Sequence, residues 1–428
     1  MRTTTRSLRS RASMLVVVAA VLSSTTARAI DWPAVIGSED GLKDAPLVPF
    51  GFAQVLVEST PMRAPVTGLT SPALKEHEGE VASFNIDEPA ELSLRRARIG
   101  LRGSMPGTEQ RVSYLVAFEA GQNATTRGTG AALIDASVTL SLVPFARLRV
   151  GQFKLPTMDE VLEPNPVTAD FIFFSPVATQ LLLEQPIVDG AFTGGGYAFR
   201  DVGAQVFDAI TLGDVELAYA AMISQGRMGA LELDARLDVA LRVQLAWLLS
   251  DTPSKRRGAF REELSVFAWR LQGPRFVVDD GVTSDVLRVR QGAGVHLRKF
   301  HIRARAELVH ADGALFAGQS PAFESGRQVV LPHGDAWGFT ADIAIEHLHP
   351  LEFDFGVDEL HRMPGDPREM RVFRNAIVGA QWHINPNARV MLNYELRKLI
   401  VGKDAPADAR VIARTMANVL ALQLAFVF

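Results

Sequence analysis

Residues 237–247 read LDVALRVQLAW, so apolar side chains alternate with polar or small ones at a period of two. The same alternation recurs at residues 134–142 and 302–308. Successive side chains of a β-strand point to opposite faces, so each segment has one apolar face and one polar face. Segments of about ten residues with this pattern, repeated along a chain, are typical of a membrane-spanning β-barrel.

The alternation and the turn signals between segments predict sixteen strands. Every second connection is short and most of the others are long, as in a barrel with periplasmic turns and extracellular loops. In hydrocarbon every backbone polar group must be paired, and strands achieve this only in a closed barrel. We therefore predict an all-β, antiparallel transmembrane barrel over residues 50–428, wide enough for a water-filled lumen. The predicted strands lie at residues 50–58, 91–103, 111–120, 131–142, 145–154, 200–210, 214–223, 235–249, 261–271, 285–297, 301–310, 336–348, 351–361, 370–384, 388–398 and 412–428.

The two ends of the chain carry export signals. Residues 1–29 combine a basic start, an apolar core at 14–22 and an Ala-Arg-Ala cleavage sequence, which predicts a signal peptide. Residues 30–49 are then a periplasmic segment. Because residues 1–29 hold five arginines and no acidic residue, their removal changes the net charge from −4 to −9. The last predicted strand ends in Phe428, and a terminal aromatic residue resembles the signal read by the outer-membrane assembly machinery.

Composition excludes several functions. The chain has no cysteine, which excludes disulfide frameworks, cysteine zinc sites, iron–sulfur clusters and a thiol nucleophile. Its 44 basic and 48 acidic residues lack the strong basic excess of a nucleic-acid-binding protein. No spacing marks a catalytic site or a phosphate-binding glycine loop, so we predict neither an enzyme nor a cofactor.

The phase of each strand assigns its charged residues to the lumen. Arginine on the lipid face costs about 2–4 kcal/mol at the bilayer midplane, so arginines that alternate with apolar residues are assigned inward. One alternative is that they pair with lumen acids such as Glu119 and Glu307. For Lys154 strict alternation indicates the lipid face, whereas a loop start there would let it enter the pore. The basic candidates for the pore lining are Arg96, Arg98, Arg102, Arg147, Arg149, Lys154, Arg288, Arg290, Arg303 and Arg305.

Five short stretches resemble the phosphate-selective porin O and P family. They are LRRARIGLRG at 94–103, LRVGQFKLP at 148–156, RDVG at 200–203, VGAQWHINPNAR at 378–389 and LQLAF at 422–426. The resemblance implies a sixteen-stranded, usually trimeric porin. It also implies that the long third loop, residues 155–199, folds into the barrel and narrows it.

The third loop contains acidic residues, among them Asp159, Glu160 and Glu163, and neither lysine nor arginine. An acidic loop opposite an arginine-bearing wall favours a passive outer-membrane porin for small anionic or neutral solutes, with mild anion preference. A phosphate- or polyphosphate-specific channel stays open as an alternative. So does a plugged barrel with a structural, adhesive or enzymatic role. The expected surroundings are outer-membrane lipid and two further copies of the chain.

Overall fold

The computed structural model describes most of the predicted barrel. The signal peptide, Glu163 and residues 30–44 lie outside the described residues, so the structure says nothing about them. The described residues are 45–60, 90–109, 111–121, 123, 131–162, 169–183, 187–188, 191–192, 199–226, 237–250, 261–279, 282–317, 329–331, 333–348 and 350–428.

Within these residues, sixteen antiparallel strands form one closed barrel in which each strand pairs with its neighbours along the chain. This confirms the predicted fold class. The strands are β1 Val48–Ser59, β2 Ala90–Ser104, β3 Val112–Ala120, β4 Ala132–Val143, β5 Ala146–Lys154, β6 Arg200–Leu212, β7 Val215–Ser224, β8 Asp238–Leu248, β9 Glu263–Asp279, β10 Val282–Lys299, β11 Ile302–Asp312, β12 Asp335–Leu348, β13 Leu351–Arg362, β14 Arg371–Asn385, β15 Ala388–Val401 and β16 Val419–Val427.

The first and last strands close the barrel. β1 pairs with β16 from Phe52, opposite Val427, to Ser59, opposite Leu420. The backbone of the last residue continues this ladder, because Gly51 N donates to Phe428 O at 2.9 Å and Phe428 N donates to Gly51 O at 2.9 Å. Closure removes the unpaired strand edge that hydrocarbon does not tolerate.

Alternation sorts the side chains of each strand into an apolar outer face and a polar inner face. On β8, Leu241 and Val243 are 49% and 48% exposed on the outside, whereas Arg242 between them is 2% exposed. The charged residues of the strands are therefore concentrated on the inner face of the barrel.

Two strand boundaries differ from the prediction by more than three residues. β9 continues past Leu271 to Asp279, although the Gly273-Pro274 pair indicates a break. The ladder between β8 and β9 stops at Gln272, so Pro274 has a partner only on β10, as on an edge strand, where proline is tolerated. The last strand starts at Val419 and not at residue 412, because residues of good helix propensity after Pro406 form a helix.

In the segment between β5 and β6, the described residues 155–162 and 169–183 lie inside the barrel, as the resemblance implies. The segment contains two short helices, α1 Asp159–Leu162 and α2 Pro176–Leu181, and two pairs of strand residues, Ile187–Val188 and Ala191–Phe192. We refer to its described residues 155–162 and 169–183 as the inward loop. A small hairpin, Leu315–Ala317 with Val329–Leu331, lies beyond β11.

Helix α3, Ala407–Thr415, connects β15 to β16. None of the helices in the described part of the chain is long and apolar enough to cross a membrane.

Candidate functional site

The inward loop packs against the inner wall through apolar side chains. Val177, Ala178 and Leu181 are at most 1% exposed and share one buried cluster with wall residues such as Leu360. Two wall glycines make room for this packing: a Cβ at Gly338 would lie 2.8 Å from Val177 Cγ2, and one at Gly356 would lie 2.7 Å from the Phe171 ring. Phe171 and Val177 therefore pack the loop against the wall.

Asp159 anchors the start of the loop. Arg242 Nη2 lies 2.6 Å from Asp159 Oδ1, and the backbone N–H of Asp159 donates to Glu307 Oε2 at 3.0 Å. Burial raises the pKa of the Asp159 carboxyl, but the nearby positive charges, of which Arg242 contributes most, and the hydrogen bond from Arg242 together outweigh burial and lower that pKa below its ordinary value. Asp159 is therefore a charged anchor, consistent with the alternative that acids and arginines of the lumen pair with each other.

Asp170 anchors the middle of the loop. Arg305 Nη2 lies 2.6 Å from Asp170 Oδ2, and Arg303 contacts the same carboxylate. Arg303 also lies 3.0 Å from Glu352, and Arg305 lies 3.1 Å from Asp342. Both candidate arginines thus lie inside the barrel, but they are engaged by carboxylates.

Arg288 and Arg290 bind backbone carbonyl oxygens. Both donate to Leu181 O in the inward loop, at 3.4 Å and 2.9 Å. Arg290 also donates to Gly313 O at 3.0 Å and to Ala314 O at 2.8 Å. Each residue is 1% exposed. These two candidates fasten the loop and the turn beyond β11, a role that alternation cannot reveal.

Glu160 and Lys154 complete the contacts of the loop start. Glu160 Oε2 accepts a hydrogen bond from Ser175 Oγ at 2.6 Å, which joins α1 to the residue before α2. Burial raises the pKa of Glu160, and the hydrogen bonds from Ser175 oppose this only in part. Lys154 Nζ donates to Leu162 O at 2.9 Å, so Lys154 lies on the loop side of the wall. The strict strand phase fails here because Gly151, with φ of +131°, interrupts the regular pleat.

Strands β2–β6 carry the remaining candidates. Their sequences contain eight basic and five acidic residues. Glu119 accepts from both Arg96 and Arg98, at 3.0 Å and 2.6 Å. Arg147 lies 2.9 Å from Asp208. Because two arginines share one carboxylate, this section of the barrel has an excess of positive charge. We call strands β2–β6 the basic wall.

Aromatic rings support five of these guanidinium groups, because Arg96 and Arg98 each lie 5.0 Å from the centroid of Phe52 and three further arginines have rings of their own. Arg102 lies 5.3 Å from the centroid of Phe50, and Arg147 lies 4.8 Å from that of Phe207. Arg149 lies 5.2 Å and 5.4 Å from the centroids of Phe153 and Phe207. Its Nε donates to Thr139 Oγ1 at 3.2 Å. Cation–π contacts hold an arginine in position without removing its charge.

Sequence reasoning missed several residues that hold the site together. Arg95 lies over the ring of Phe173 at 4.5 Å, because a register shift between β1 and β2 turns it inward beside Arg96. Arg242 lies in residues 237–247, and the alternation of that segment already places its side chain inside the barrel. Polar side chains that bind the loop backbone have no sequence signal: Gln381, Arg389 and Asn393 contact Asp170 O, Ala169 O and Ile172 N.

One group in the described part of the chain has the composition of a metal site. Oxygen atoms of Asp170, Glu352 and Asp354 lie within 4.8 Å of one another. Arg303 contacts two of these three carboxylates, so a protein cation already neutralises much of their charge. We therefore interpret the group as part of the loop attachment and assign no cofactor to it.

Comparison with known proteins supports the porin interpretation. A model of the family described as phosphate-selective porin O and P matches residues 80–167. No curated protein matches the chain in a sequence search. The match covers β2 to the start of the inward loop, which includes two of the five stretches on which the resemblance rests, and it confirms that resemblance.

Solved porin structures share the fold. OmpF of Salmonella typhi superimposes with a TM-score of 0.54 at 10% identity, covering 89% of this chain and 97% of that one. An anion-selective porin from Comamonas acidovorans gives 0.52 at 10% identity, with coverage of 89% and 99%. The outer membrane channel DcaP of Acinetobacter baumannii gives 0.51 at 12% identity, with coverage of 90% and 98%.

At these identities the structural likeness establishes the fold, while the family match connects the sequence to porins. Together they indicate an outer-membrane channel and not an enzyme. The chain is a closed, sixteen-stranded antiparallel barrel that shares the fold of outer-membrane porins and matches the phosphate-selective porin O and P family model over residues 80–167.

Proposed function

We propose that the protein is a passive channel for small hydrophilic solutes, with a mild preference for anions, and that solutes pass between the inward loop and the basic wall. The observation that carries this proposal is the distribution of loop contacts. The ionic and backbone contacts of the loop fall mainly on β8–β15, through residues such as Arg242, Arg305 and Arg389. The β2–β5 side has fewer attachments.

Three arginines of the basic wall retain partial exposure, as a solute path requires, whereas Arg149 is 2% exposed. The side chains of Arg96, Arg98 and Arg147 are 16%, 10% and 18% exposed, whereas Arg242 in the loop attachment is 0% exposed. Guanidinium groups stay protonated at every physiological pH and can bind carboxylate or phosphate through two N–H donors. An excess of such groups along a pore raises the local concentration of anions.

The preference should be mild because acids lie close to the path. Glu119 and Asp208 pair with arginines of the basic wall, and Asp135 pairs with Arg200. Across the barrel, β12 and β13 carry seven acidic residues and one arginine. Paired and opposed charges of this kind produce a field across the pore and leave little net attraction for one ion type.

A phosphate-specific channel is the second candidate, and the family match over residues 80–167 favours it. The two functions differ in one measurement. In planar bilayers, a general porin should conduct chloride ohmically and should be insensitive to micromolar phosphate. A specific channel should show block of the chloride current at that concentration. Absence of any ohmic conductance would contradict both and would favour a barrel plugged by its loop.

The signal peptide at residues 1–29, recognition of the strand ending at Phe428 by the assembly machinery, and a homotrimer belong to the same proposal. All three are supported by the sequence features described above and by the porin family match. The anion selectivity named for the Comamonas acidovorans porin agrees with the preference proposed for this chain.

A further inference from the structure

The lipid-facing surface carries a polar band on seven consecutive strands. Each of β9–β15 contributes at least one outward-facing residue that is polar, charged or an aromatic residue with a polar N–H, and the acids Asp335 and Glu359 pair with His310 and His361 on the same face. We call this set the outer polar band, and its members are Arg270, Gln291, His310, Trp337, His361, Arg374 and Lys398.

The band is continuous from strand to strand. Arg270 lies opposite Gln291 in the β-ladder, Gln291 lies opposite His310, His310 opposite Trp337, and Trp337 opposite His361. Directly opposed residues on one face have Cβ atoms about 4.5–5.5 Å apart. The five side chains therefore form one uninterrupted row across five strands.

Arg374 and Lys398 extend the band on the next two strands and lie opposite each other in register. Both are exposed; the Arg374 side chain retains 48% of its accessible surface although it donates to Glu359 Oε2 at 2.6 Å. Arg374 is thus paired with Glu359, and with the adjacent Lys398 the three side chains carry one net positive charge on the outside of the barrel.

Other contacts hold the band in a defined arrangement. Arg270 donates to Gln272 at 2.9 Å and to Gln291 at 3.0 Å. The rings of Trp337 and His361 are stacked, with centroids 4.0 Å apart and planes 10° from parallel. Tryptophan is enriched where a membrane protein meets the interface between hydrocarbon and headgroups.

On β13 the band lies one apolar belt above the periplasmic turn. From that turn the outward residues are Leu351, Phe353, Phe355 and Val357, and the polar residues Glu359 and His361 follow. The ten steps from Leu351 to His361 rise about 34 Å along the strand, which at a tilt of about 40° is about 25 Å along the barrel axis, the height of the apolar belt of an outer-membrane barrel. The His361 end of the band, with Arg374 and Lys398 on the next two strands, therefore lies at the level of the outer-leaflet headgroups.

The opposite side of the barrel has no such band among its described residues. Near the extracellular ends of β2, β3 and β7, the outward residues are Leu92, Phe118 and Ile223, which are 71%, 46% and 52% exposed. The outer polar band is therefore specific to the β9–β15 side of the barrel. It is not a feature of every strand where that strand leaves the membrane.

We propose that the outer polar band binds the phosphorylated headgroup of the outer-leaflet glycolipid, lipid A. Arg374 and Lys398 together hold one phosphate, since an arginine fork and a lysine ammonium are complementary to its oxygen atoms. The stacked rings of Trp337 and His361, on the adjoining strands, face the sugar rings.

The test measures binding of lipid A to the full-length mature barrel refolded in detergent, by native mass spectrometry. Diphosphoryl lipid A is compared with the same lipid after removal of its phosphates. The double variant R374Q/K398Q is compared with R111Q/K299Q, which removes two basic residues at the periplasmic end of the barrel.

We expect the wild type to prefer the phosphorylated lipid and R374Q/K398Q to bind it about 25-fold more weakly, because each basic residue near an anionic lipid surface contributes roughly a fivefold factor. R111Q/K299Q should bind as the wild type does. Equal binding of both lipids, wild-type affinity in R374Q/K398Q, or no binding by the wild type would overturn the proposal.

Two further readouts keep the test decisive. Heat-dependent gel mobility shows whether each variant is folded, and K398Q alone, with an expected loss of about fivefold, replaces the double variant if that one does not fold. A change of oligomeric state without a change in lipid binding would assign the band to a contact between copies of the chain and would overturn the proposal.

Discussion

Arg305 on β11 reaches Asp170 of the inward loop, with 2.6 Å between Nη2 and Oδ2. The Asp170 residue is 2% exposed, so this ion pair joins the wall to the loop out of contact with bulk water. The two residues are 135 positions apart in the sequence. The position of the loop, and with it the width of the solute path, therefore depends on charges that are brought together only by closure of the barrel.

Removal of the Asp170 charge should release the middle of the loop. We expect D170N to remove the loop carboxylate that Arg303 and Arg305 share. Because Arg303 keeps Glu352 and Arg305 keeps Asp342, the cost should lie below the roughly 3–5 kcal/mol of a fully broken buried pair. The barrel strands themselves keep their ladders, so the effect should appear as larger and noisier single-channel conductance. D404N, at an exposed position in the connection after β15, is the matched control. A D170N channel as quiet as the wild type would contradict the role of this ion pair.

The pairing of Asp159 with Arg242 predicts an acid-sensitive loop. Because Arg242 lowers the pKa of Asp159 in the folded protein, the pair stabilises the loop at pH values above the ordinary carboxyl pKa of about 3.9. That stabilisation is lost as the pH falls through the lowered pKa. We expect conductance fluctuations to appear below about pH 4 in the wild type and to be present at pH 7 in D159N. Recordings between pH 3 and pH 7 test this, and a D159N channel with the wild-type pH profile would disprove it.

Loss of the basic wall should reduce anion preference. In R147A/R149A we expect the anion-to-cation permeability ratio to fall by about fivefold, because a unit charge 4 Å from an ion in water contributes about 1 kcal/mol. The control R368A/R410A removes the same charge from exposed positions outside the strands. Reversal potentials in a salt gradient measure the ratio. If both double variants keep the wild-type ratio, the path does not pass Arg147 and Arg149.

The C-terminal residue should matter more for assembly than for the folded barrel. In the structure Phe428 binds Gly51 through two backbone hydrogen bonds, which F428A retains. We expect F428A refolded in detergent to melt close to the wild type, whereas its folded, heat-modifiable fraction in cells falls several-fold. F300A, at a periplasmic turn where Phe300 is 76% exposed, is the control. Equal cellular yields of F428A and F300A would contradict an assembly signal.

Periodicity was sufficient to predict the fold, because lipid on one side of a strand and water on the other impose alternation directly. The phase of β8 and of β11 places Arg242 and Arg303 inside without knowledge of any partner. Exceptions arise where one residue breaks the pleat: the register shift beside Arg95 and the positive φ of Gly151 each change which side chains face inward.

Partners in the site could not be predicted in the same way. Gln180 of the inward loop accepts from Arg362, which is 182 positions away, at 3.1 Å. Such a pair depends on the three-dimensional course of the loop across the lumen. The local alternation of the sequence does not predict it. For this reason Arg290 appears in the sequence as a candidate for anion attraction, whereas in the structure it binds carbonyl oxygens.

The reversal potential of the wild-type channel in a planar bilayer with a KCl gradient tests the central claim most directly. If solutes pass between the inward loop and the basic wall, the channel should conduct ohmically and its reversal potential should have the sign of a mild anion preference, reduced in R147A/R149A. A reversal potential of the opposite sign, showing preference for potassium, would contradict the account.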